Sequence, residues 1–363
     1  MSGTEDKQLH FIIGIGRSGT TILNKVLNSH PAIHSLPEAN FLVFFLNDYK
    51  NIMVFSKEQI DLIFEQIRIF SLSHPWVGWS FDAAETKRKV LERTDAGPLS
   101  YGDLCKIIYS EFKVDGFDKS DARILLDKNP AYTLFAEKIA RNFSEAKFIW
   151  MLRDYRANVL SRKQNAYLKS PVVAYNAIRW KVFNIIALRF YKRYKERVLI
   201  LKYEDLVSDH ENSVKSVCRF LGVNPGEVFK ENKPAIDLSE VNISPEHKSY
   251  FTKKYNDLNK PINTDRMNAW QTELTAGEIE ECDAICSRFA SKFGYNVFRP
   301  VGLARKSEIL LKNARIISSS WLAIKKEQVF FYVNAGIKMK RLVKRHTDLG
   351  FIRAASGTQS EKK

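Results

Sequence analysis

The sequence predicts an α/β fold: a central parallel sheet covered by helices on both faces, followed by a basic helical extension at the C-terminus. Three observations carry this. Short apolar runs of strand length alternate with helix-periodic segments, the pattern of a parallel sheet with crossover helices. The run Lys147–Leu152, KFIWML, is continuously apolar after its first residue, as expected of a strand buried on both faces. Each notable polar cluster follows one of these runs, and in open α/β sheets ligands bind beyond the carboxyl ends of the strands.

In chain order, Phe11–Ile15 reads as the first strand and Thr20–Asn28 as its helix, with a glycine-punctuated turn between them. Residues 57–70 carry Ile60, Ile63, Phe64, Ile67 and Phe70 on one helical stripe. Residues 72–100 are aromatic and turn-rich and read as an irregular insertion. Ile124–Leu126 is a short strand, and Asp127-Lys128-Asn129-Pro130 is the turn that starts a helix near Ala131. KFIWML is the central strand, with Arg153 and Asp154 at its carboxyl end. Val198–Leu201 is another buried strand, ending at Lys202-Tyr203-Glu204-Asp205. A helix over Ser213–Leu221 is stopped by Gly222 and Pro225. The last clear helix opens on the capping box Thr275-x-x-Glu278 and ends before Gly294. The expected organisation is a flexible N-terminus over 1–10, one large domain over 11–300, and an extension over 301–363 with a disordered tail from Ala354.

A chain of 363 residues can bury a large core, and 45% hydrophobic with 27% charged residues is ordinary globular composition. The formal charge of +16 is unevenly placed. Residues 301–363 hold 14 Lys/Arg against 4 Asp/Glu, so +10 of the excess sits in this appendage. A uniformly basic surface is absent, and nucleic acid is not an expected partner. The N-terminus, MSGTEDKQLH, lacks the apolar core of a secretory signal. No run approaches the ~18 apolar residues of a membrane span. Cys105, Cys218, Cys282 and Cys286 follow no disulfide or zinc spacing, and the last two read as buried thiols one turn apart. His30 and His34 have no metal-ligand spacing and read as structural. Together these features predict a cytoplasmic protein.

The segment Phe11–Leu23, FIIGIGRSGTTIL, is strand, glycine loop and helix N-terminus, which aims backbone N–H groups and the positive helix end at an anion. It nearly fits the nucleotide-binding pattern G-x-x-x-x-G-K-[ST], with Gly14, Gly19 and Thr21 in place and Thr20 at the lysine position. In a nucleotide triphosphatase that lysine grips the β/γ-phosphates and Mg²⁺ neutralises the remainder. Here the cation is Arg17, inside the loop, with no acidic residue obviously placed to hold a metal. A transferred group of lower charge can manage without a metal. A sulfuryl group, singly charged where a terminal phosphoryl carries about two, fits that description. Three function classes follow: sulfuryl transfer, favoured by the loop; a Mg-ATP-dependent kinase, disfavoured by Thr20; and a non-catalytic nucleotide-binding protein recruited to membranes by its basic tail.

Together with a second motif, these residues resemble the sulfotransferases that use 3′-phosphoadenosine 5′-phosphosulfate. Gly16-Arg17-Ser18-Gly19-Thr20-Thr21 is similar to that family's 5′-phosphosulfate loop. Arg153-Asp154-Tyr155-Arg156-Ala157-Asn158-Val159-Leu160-Ser161-Arg162 is similar to its 3′-phosphate motif, in which the first Arg and the Ser bind the phosphate. The strongest likeness, over residues 11–295, is to the tyrosylprotein sulfotransferase branch and its bacterial relatives. The resemblance implies a P-loop-like three-layer fold, with Arg17, Ser18, Gly19, Thr20, Thr21, Arg153 and Ser161 holding the donor.

Further matches imply further roles. Ser29-His30-Pro31 to Pro37-Glu38 resembles the segment with that branch's catalytic glutamate, and Glu38 stands 21 residues after Arg17 as in that branch. Leu126–Pro130 is similar to its lysine-proline turn, which implies that Lys128 contacts the donor's bridging oxygen alongside Arg17. Tyr203-Glu204-Asp205-Leu206 resembles a segment beside the nucleotide. Lys260-Pro261-Ile262-Asn263, with Trp270 seven residues on, is similar to a segment that closes over the donor. The nucleotide-side arginine that some relatives carry falls on Asn165, leaving Arg162 or Lys163 to substitute. The substrate-facing residues of the animal tyrosine-sulfating enzymes are not recognisable, and the expected acceptor is a hydroxyl of a carbohydrate, lipid or small metabolite. Residues 301–363 lie outside the resemblance. They fit either a basic amphipathic surface for an anionic membrane or glycan, or a docked helix with a solvated basic face.

Overall fold

A computed structural model describes residues 6–74, 76, 78–115, 117–165, 171–228 and 262–348. Five strands form one parallel sheet: β1 (Gln8–Gly14), β2 (Ile33–Ser35), β5 (Ile124–Lys128), β6 (Phe148–Leu152) and β7 (Val198–Lys202). Their order is β2-β5-β1-β6-β7, which puts the loop-bearing β1 at the centre. Alternate side chains serve opposite faces. Phe11 and Ile13 of β1 join Phe148, Trp150 and Leu152 of β6 in the larger core, while Ile12, Ile149 and Met151 point into the second. A second, two-stranded antiparallel sheet pairs β3 (Trp79–Ser80) with β4 (Lys113–Val114).

The helices follow the expected crossovers. They are α1 (Thr20–Leu27), α2 (Phe41–Tyr49), α3 (Lys57–Ser73), α4 (Ala83–Asp95), α5 (Tyr101–Ser110), α6 (Ala136–Asn142), α7 (Tyr155–Lys163) and α8 (Val173–Arg193). After β7 come α9 (Tyr203–Ser208), α10 (His210–Leu221), α11 (Trp270–Glu273) and α12 (Ala276–Ala290), then α13 (Leu303–Lys312), α14 (Ala314–Phe330) and α15 (Ala335–Asp348). Capping boxes open α3 at Ser56 and Gln59, and α12 at Thr275 and Glu278. No helix is long and apolar enough to cross a membrane among the described residues.

Four local expectations change. β1 begins at Gln8, where the Gln8 N–H bonds the Arg123 carbonyl at 2.9 Å, so order starts before residue 11. β5 extends through Asp127 and Lys128, which therefore belong to the strand and not to the turn. The helix expected near Ala131 opens as a 3₁₀ segment over Pro130–Phe135, capped by Asn129, before α6. The supposed insertion over 72–100 contains α4, a mostly polar helix capped by Asp82, whose weak apolar stripe hides it from periodicity. The tail from Ala354 and the first five residues lie outside the described residues.

Candidate active site

The loop after β1 is held in shape by contacts that only glycine permits. Gly14 has φ +146°, and a Cβ there would stand 2.5 Å from the Met151 carbonyl oxygen of β6. Gly19, at the start of α1, has φ +88°, and its Cβ would meet the Tyr203 ring at 2.6 Å. Arg17 between them has φ 75°, the one non-glycine with positive φ among the described residues. The surroundings hold this loop. The Thr133 hydroxyl accepts from the Gly14 N–H at 2.7 Å and lies 2.6 Å from the Gly14 carbonyl. The Asn158 amide donates to the Gly16 carbonyl and to Ser18 Oγ, both at 3.1 Å. No side chain caps α1, whose first turn holds Thr20 and Thr21. Its N-terminus is therefore available as an anion-facing group.

The second motif meets the loop directly. Arg17 Nε donates to Ser161 Oγ of α7 at 3.0 Å. Arg153, one residue beyond β6, donates from Nη1 to the Arg17 carbonyl at 3.0 Å and from Nη2 to the Arg266 carbonyl at 2.8 Å. Its guanidinium lies 4.0 Å from the centre of the Tyr203 ring. Arg153 Nε is buried without a partner, and burial lowers the guanidinium's pKa. Neither Arg17 nor Arg153 is ion-paired to a carboxylate among the described residues. Two guanidinium groups without a carboxylate ion pair, a buried unmade hydrogen bond and an uncapped helix start form a place that an anionic group can complete.

Behind these groups, buried polar contacts fix the strand ends. Asp154 caps α7 and forks onto Arg156, with Nη2 at 2.7 Å, and the Arg156 guanidinium lies 4.0 Å over Trp270. Trp270 thus supports α7 through Arg156. Glu204 accepts from the Asp154 N–H at 2.9 Å and from the Tyr295 hydroxyl at 2.8 Å, which ties the β7–α9 turn to the β6–α7 turn. Lys163 pairs with Glu278 at 2.5 Å. Arg162 instead lies near the loop, with Nε on Asn176 Oδ1 at 3.0 Å, and burial pushes its pKa down to about 10. The 262–270 segment reaches the site through the Arg266 carbonyl, while Asn263 is exposed and accepts from the Asp265 N–H. Lys260 lies outside the described residues.

Glu38 and Lys128 meet on the other side of the loop. Lys128 Nζ donates to Glu38 Oε1 at 2.5 Å, with the lysine side chain 6% and the glutamate 31% exposed. The β2–β5 pairing continues one step past β2, from the Leu36 N–H to the Leu126 carbonyl at 2.9 Å. Asn24 of α1 and Asn28 at its C-terminal cap donate to the Leu36 and Ser35 carbonyls, which fixes this segment against the loop's own helix. Trp76 Nε1 holds the Glu38 carbonyl at 3.0 Å. Next to Lys128, Asp127 is fully buried and accepts from the Tyr109 hydroxyl at 2.5 Å; burial pushes its pKa up to about 7.

Sequence reasoning missed Thr133, Asn158, Asn24 and the Asp127–Tyr109 pair. Asn158 lies within the quoted Arg153–Arg162 motif, and Thr133 stands three residues after Pro130. Their spacing was visible, but their contacts cross the sheet and leave no local signal. His34 is buried with both ring nitrogens unpartnered, and burial pulls its pKa down to about 3. His30 bonds the Asn224 carbonyl and the Ala32 N–H. Both rings are buried, and Cys282 and Cys286 are buried free thiols.

Comparison with known proteins bears on this arrangement. A family model described as "Sulfotransferase family" matches residues 10–226. Protein-tyrosine sulfotransferase 2 of Gallus gallus is 21% identical over 313 residues, covering 81% of this chain and 71% of the relative. Protein-tyrosine sulfotransferase 1 of Danio rerio is 22% identical over 325 residues, covering 87% and 80%. The sulfotransferase domain of the Synechococcus PCC 7002 olefin synthase aligns with a TM-score of 0.48 at 19% identity, covering 80% of this chain and 96% of that one.

Proposed function

This chain belongs to the sulfotransferase family, and on that premise we propose that it moves the sulfuryl group of 3′-phosphoadenosine 5′-phosphosulfate onto an acceptor hydroxyl, with Glu38 as general base. The observation that carries this reading is the Arg17–Ser161 contact, which makes one cationic site from two motifs far apart in sequence. In this reading the loop, through Arg17, Ser18, Gly19, Thr20 and Thr21, takes the 5′-phosphosulfate. Arg153 and Ser161 take the 3′-phosphate, satisfying the orphaned Arg153 Nε side of the site. Tyr203, beneath Arg153, borders the nucleotide, and the role carried by the sequence likeness for Lys260 and Asn263 is to contact the donor.

Transfer then follows from the remaining pair. Donor binding draws the Lys128 ammonium away from the Glu38 carboxylate and toward the bridging oxygen. Glu38 takes the proton of the acceptor hydroxyl as its oxygen bonds to sulfur. The sulfur–bridging oxygen bond breaks, and its electron pair stays on the 5′-phosphate, where Lys128 and Arg17 stabilise the charge. A sulfate ester and adenosine 3′,5′-bisphosphate leave, and the chemistry asks for no metal. The acceptor we propose is a hydroxyl of a carbohydrate, lipid or small metabolite.

The test is Glu38→Gln assayed with labelled donor against an acceptor panel. Transfer falls by about 10²–10⁴-fold, the range of a lost general base, while affinity for adenosine 3′,5′-bisphosphate is kept. Wild-type turnover in this variant would remove Glu38 from the mechanism.

A further inference from the structure

The C-terminal helices are built into the protein and yet present an unusual outer surface. They are anchored from within. Lys338 is buried, with Nζ on the Phe44 carbonyl and on Asp48 Oδ2 at 3.1 Å, and the Ala335 N–H bonds Asp48 Oδ1 at 3.1 Å. Phe331 stacks on Phe135 at 5.5 Å between ring centres, and Gln328 reaches the Leu134 carbonyl at 3.3 Å. These contacts fall on α2, which follows Glu38, and on the 3₁₀ segment that follows Lys128.

What faces outward is both apolar and cationic. Thirteen large hydrophobic side chains stand exposed among the described residues, and eight of them lie between Leu303 and Val343. Isolated exposed hydrophobics are normal, but such a concentration marks a surface that something covers. On α14, Trp321, Leu322 and Val329 are 48, 53 and 64% exposed, and Lys325 and Lys326 are exposed between them. On α15, Ile337 and Val343 alternate with exposed Lys340, Arg341 and Lys344. Residues 303–348 carry eleven Lys/Arg against three Asp/Glu. A nucleic acid would match the cations and leave the leucine and valine side chains unpaired. An anionic lipid surface matches both, with apolar side chains at the acyl boundary and cations at the headgroups.

We propose that α14 and α15 form a peripheral docking surface for an anionic membrane, seating the domain through its exposed Trp, Leu and Val side chains and surrounding lysines and arginines. Because the helices are anchored on the scaffold of Glu38 and Lys128, docking also fixes the orientation of that pair toward the bilayer.

The full chain is sedimented with vesicles of phosphatidylcholine alone and with vesicles containing phosphatidylserine. It partitions to the anionic vesicles, and less so as salt is raised. Lys325→Gln/Lys326→Gln weakens partition by about 5-fold per cation. Leu322→Ser/Val329→Ser weakens it on anionic vesicles as well. Brominated lipid quenches a part of the emission that Trp321→Phe removes. Affinity for adenosine 3′,5′-bisphosphate is unchanged in these variants, so a defect there would point to the donor site and not to this surface. Equal partition to both vesicles, binding indifferent to both double variants, or capture of duplex DNA with no vesicle binding would each overturn the proposal.

Discussion

Arg17 and Ser161, 144 residues apart, share a hydrogen bond of 3.0 Å from Nε to Oγ. The contact joins the turn after the central strand β1 to the helix after its neighbour β6, and Arg153 at the end of β6 donates to the Arg17 carbonyl at 3.0 Å. A loop that lacks the lysine of the nucleotide triphosphate pattern thereby acquires its cations from its own interior and from the adjacent strand.

The first prediction concerns Ser161. Its hydroxyl is held by a charged donor, and in the proposed complex it would pass to the 3′-phosphate. Ser161→Ala therefore weakens binding of adenosine 3′,5′-bisphosphate by about 10-fold, the scale of one hydrogen bond to a charged group. Calorimetric titration checks it. Unchanged affinity would detach Ser161 from the nucleotide.

Gly19 supplies a second. An alanine there combines φ +88° with a Cβ 2.6 Å from the Tyr203 ring. Gly19→Ala lowers stability by about 1–3 kcal/mol and displaces the ring that lies under Arg153. Adding Tyr203→Ala relieves the clash and leaves the strain, so the two changes are not additive. Additive urea midpoints would contradict the contact.

Thr133→Val tests the support of the loop. The Gly14 N–H loses a buried acceptor at 2.7 Å, for a cost of about 1–3 kcal/mol with little change in volume. Equilibrium unfolding measures the loss, and a neutral variant would mean that Gly14 finds another partner.

The fourth is a pH dependence. Asp127 has a folded pKa of about 7 against an ordinary 3.8, raised by burial. The folded state thus holds a proton that the unfolded state has lost. This contribution is fully present below the ordinary value and disappears as pH rises toward 7. His10 and His34 act in the opposite sense, since burial brings them to about 4 and about 3, and stability falls as pH drops below 6.5. Asp127→Asn removes the opposing term, so stability rises more steeply between pH 5 and 7 than in the wild type, by up to about 1.4 kcal/mol per pH unit. Identical slopes would place the Asp127 pKa elsewhere.

Much of this site was legible in the chain because its residues follow strands whose apolar runs are unmistakable. Phe11–Gly14 and KFIWML announce the sheet, and Arg17 and Arg153 stand directly after them. Glu38 was singled out through its spacing from Arg17 and the likeness of the Ser29–Glu38 segment, since β2 is three residues long and gives little pattern of its own. The Glu38–Lys128 ion pair depends on β2–β5 pairing across the sheet, a relation no local signal carries. The same holds for Thr133 and Asn158, whose value lies in carbonyl and N–H partners more than a hundred residues away. Helix α8 went unread because its apolar residues surround it, as suits a helix packed on several sides.

Ligand titration tests the proposed phosphosulfate donor site directly. Purified protein is titrated with adenosine 3′,5′-bisphosphate in the presence of a chelator, and separately with ATP and Mg²⁺, using wild type and Arg153→Ala. Saturable binding of the bisphosphate without metal, lost in Arg153→Ala, is the expected result, with no comparable binding of Mg-ATP. Tight binding of Mg-ATP together with indifference to the bisphosphate would contradict it.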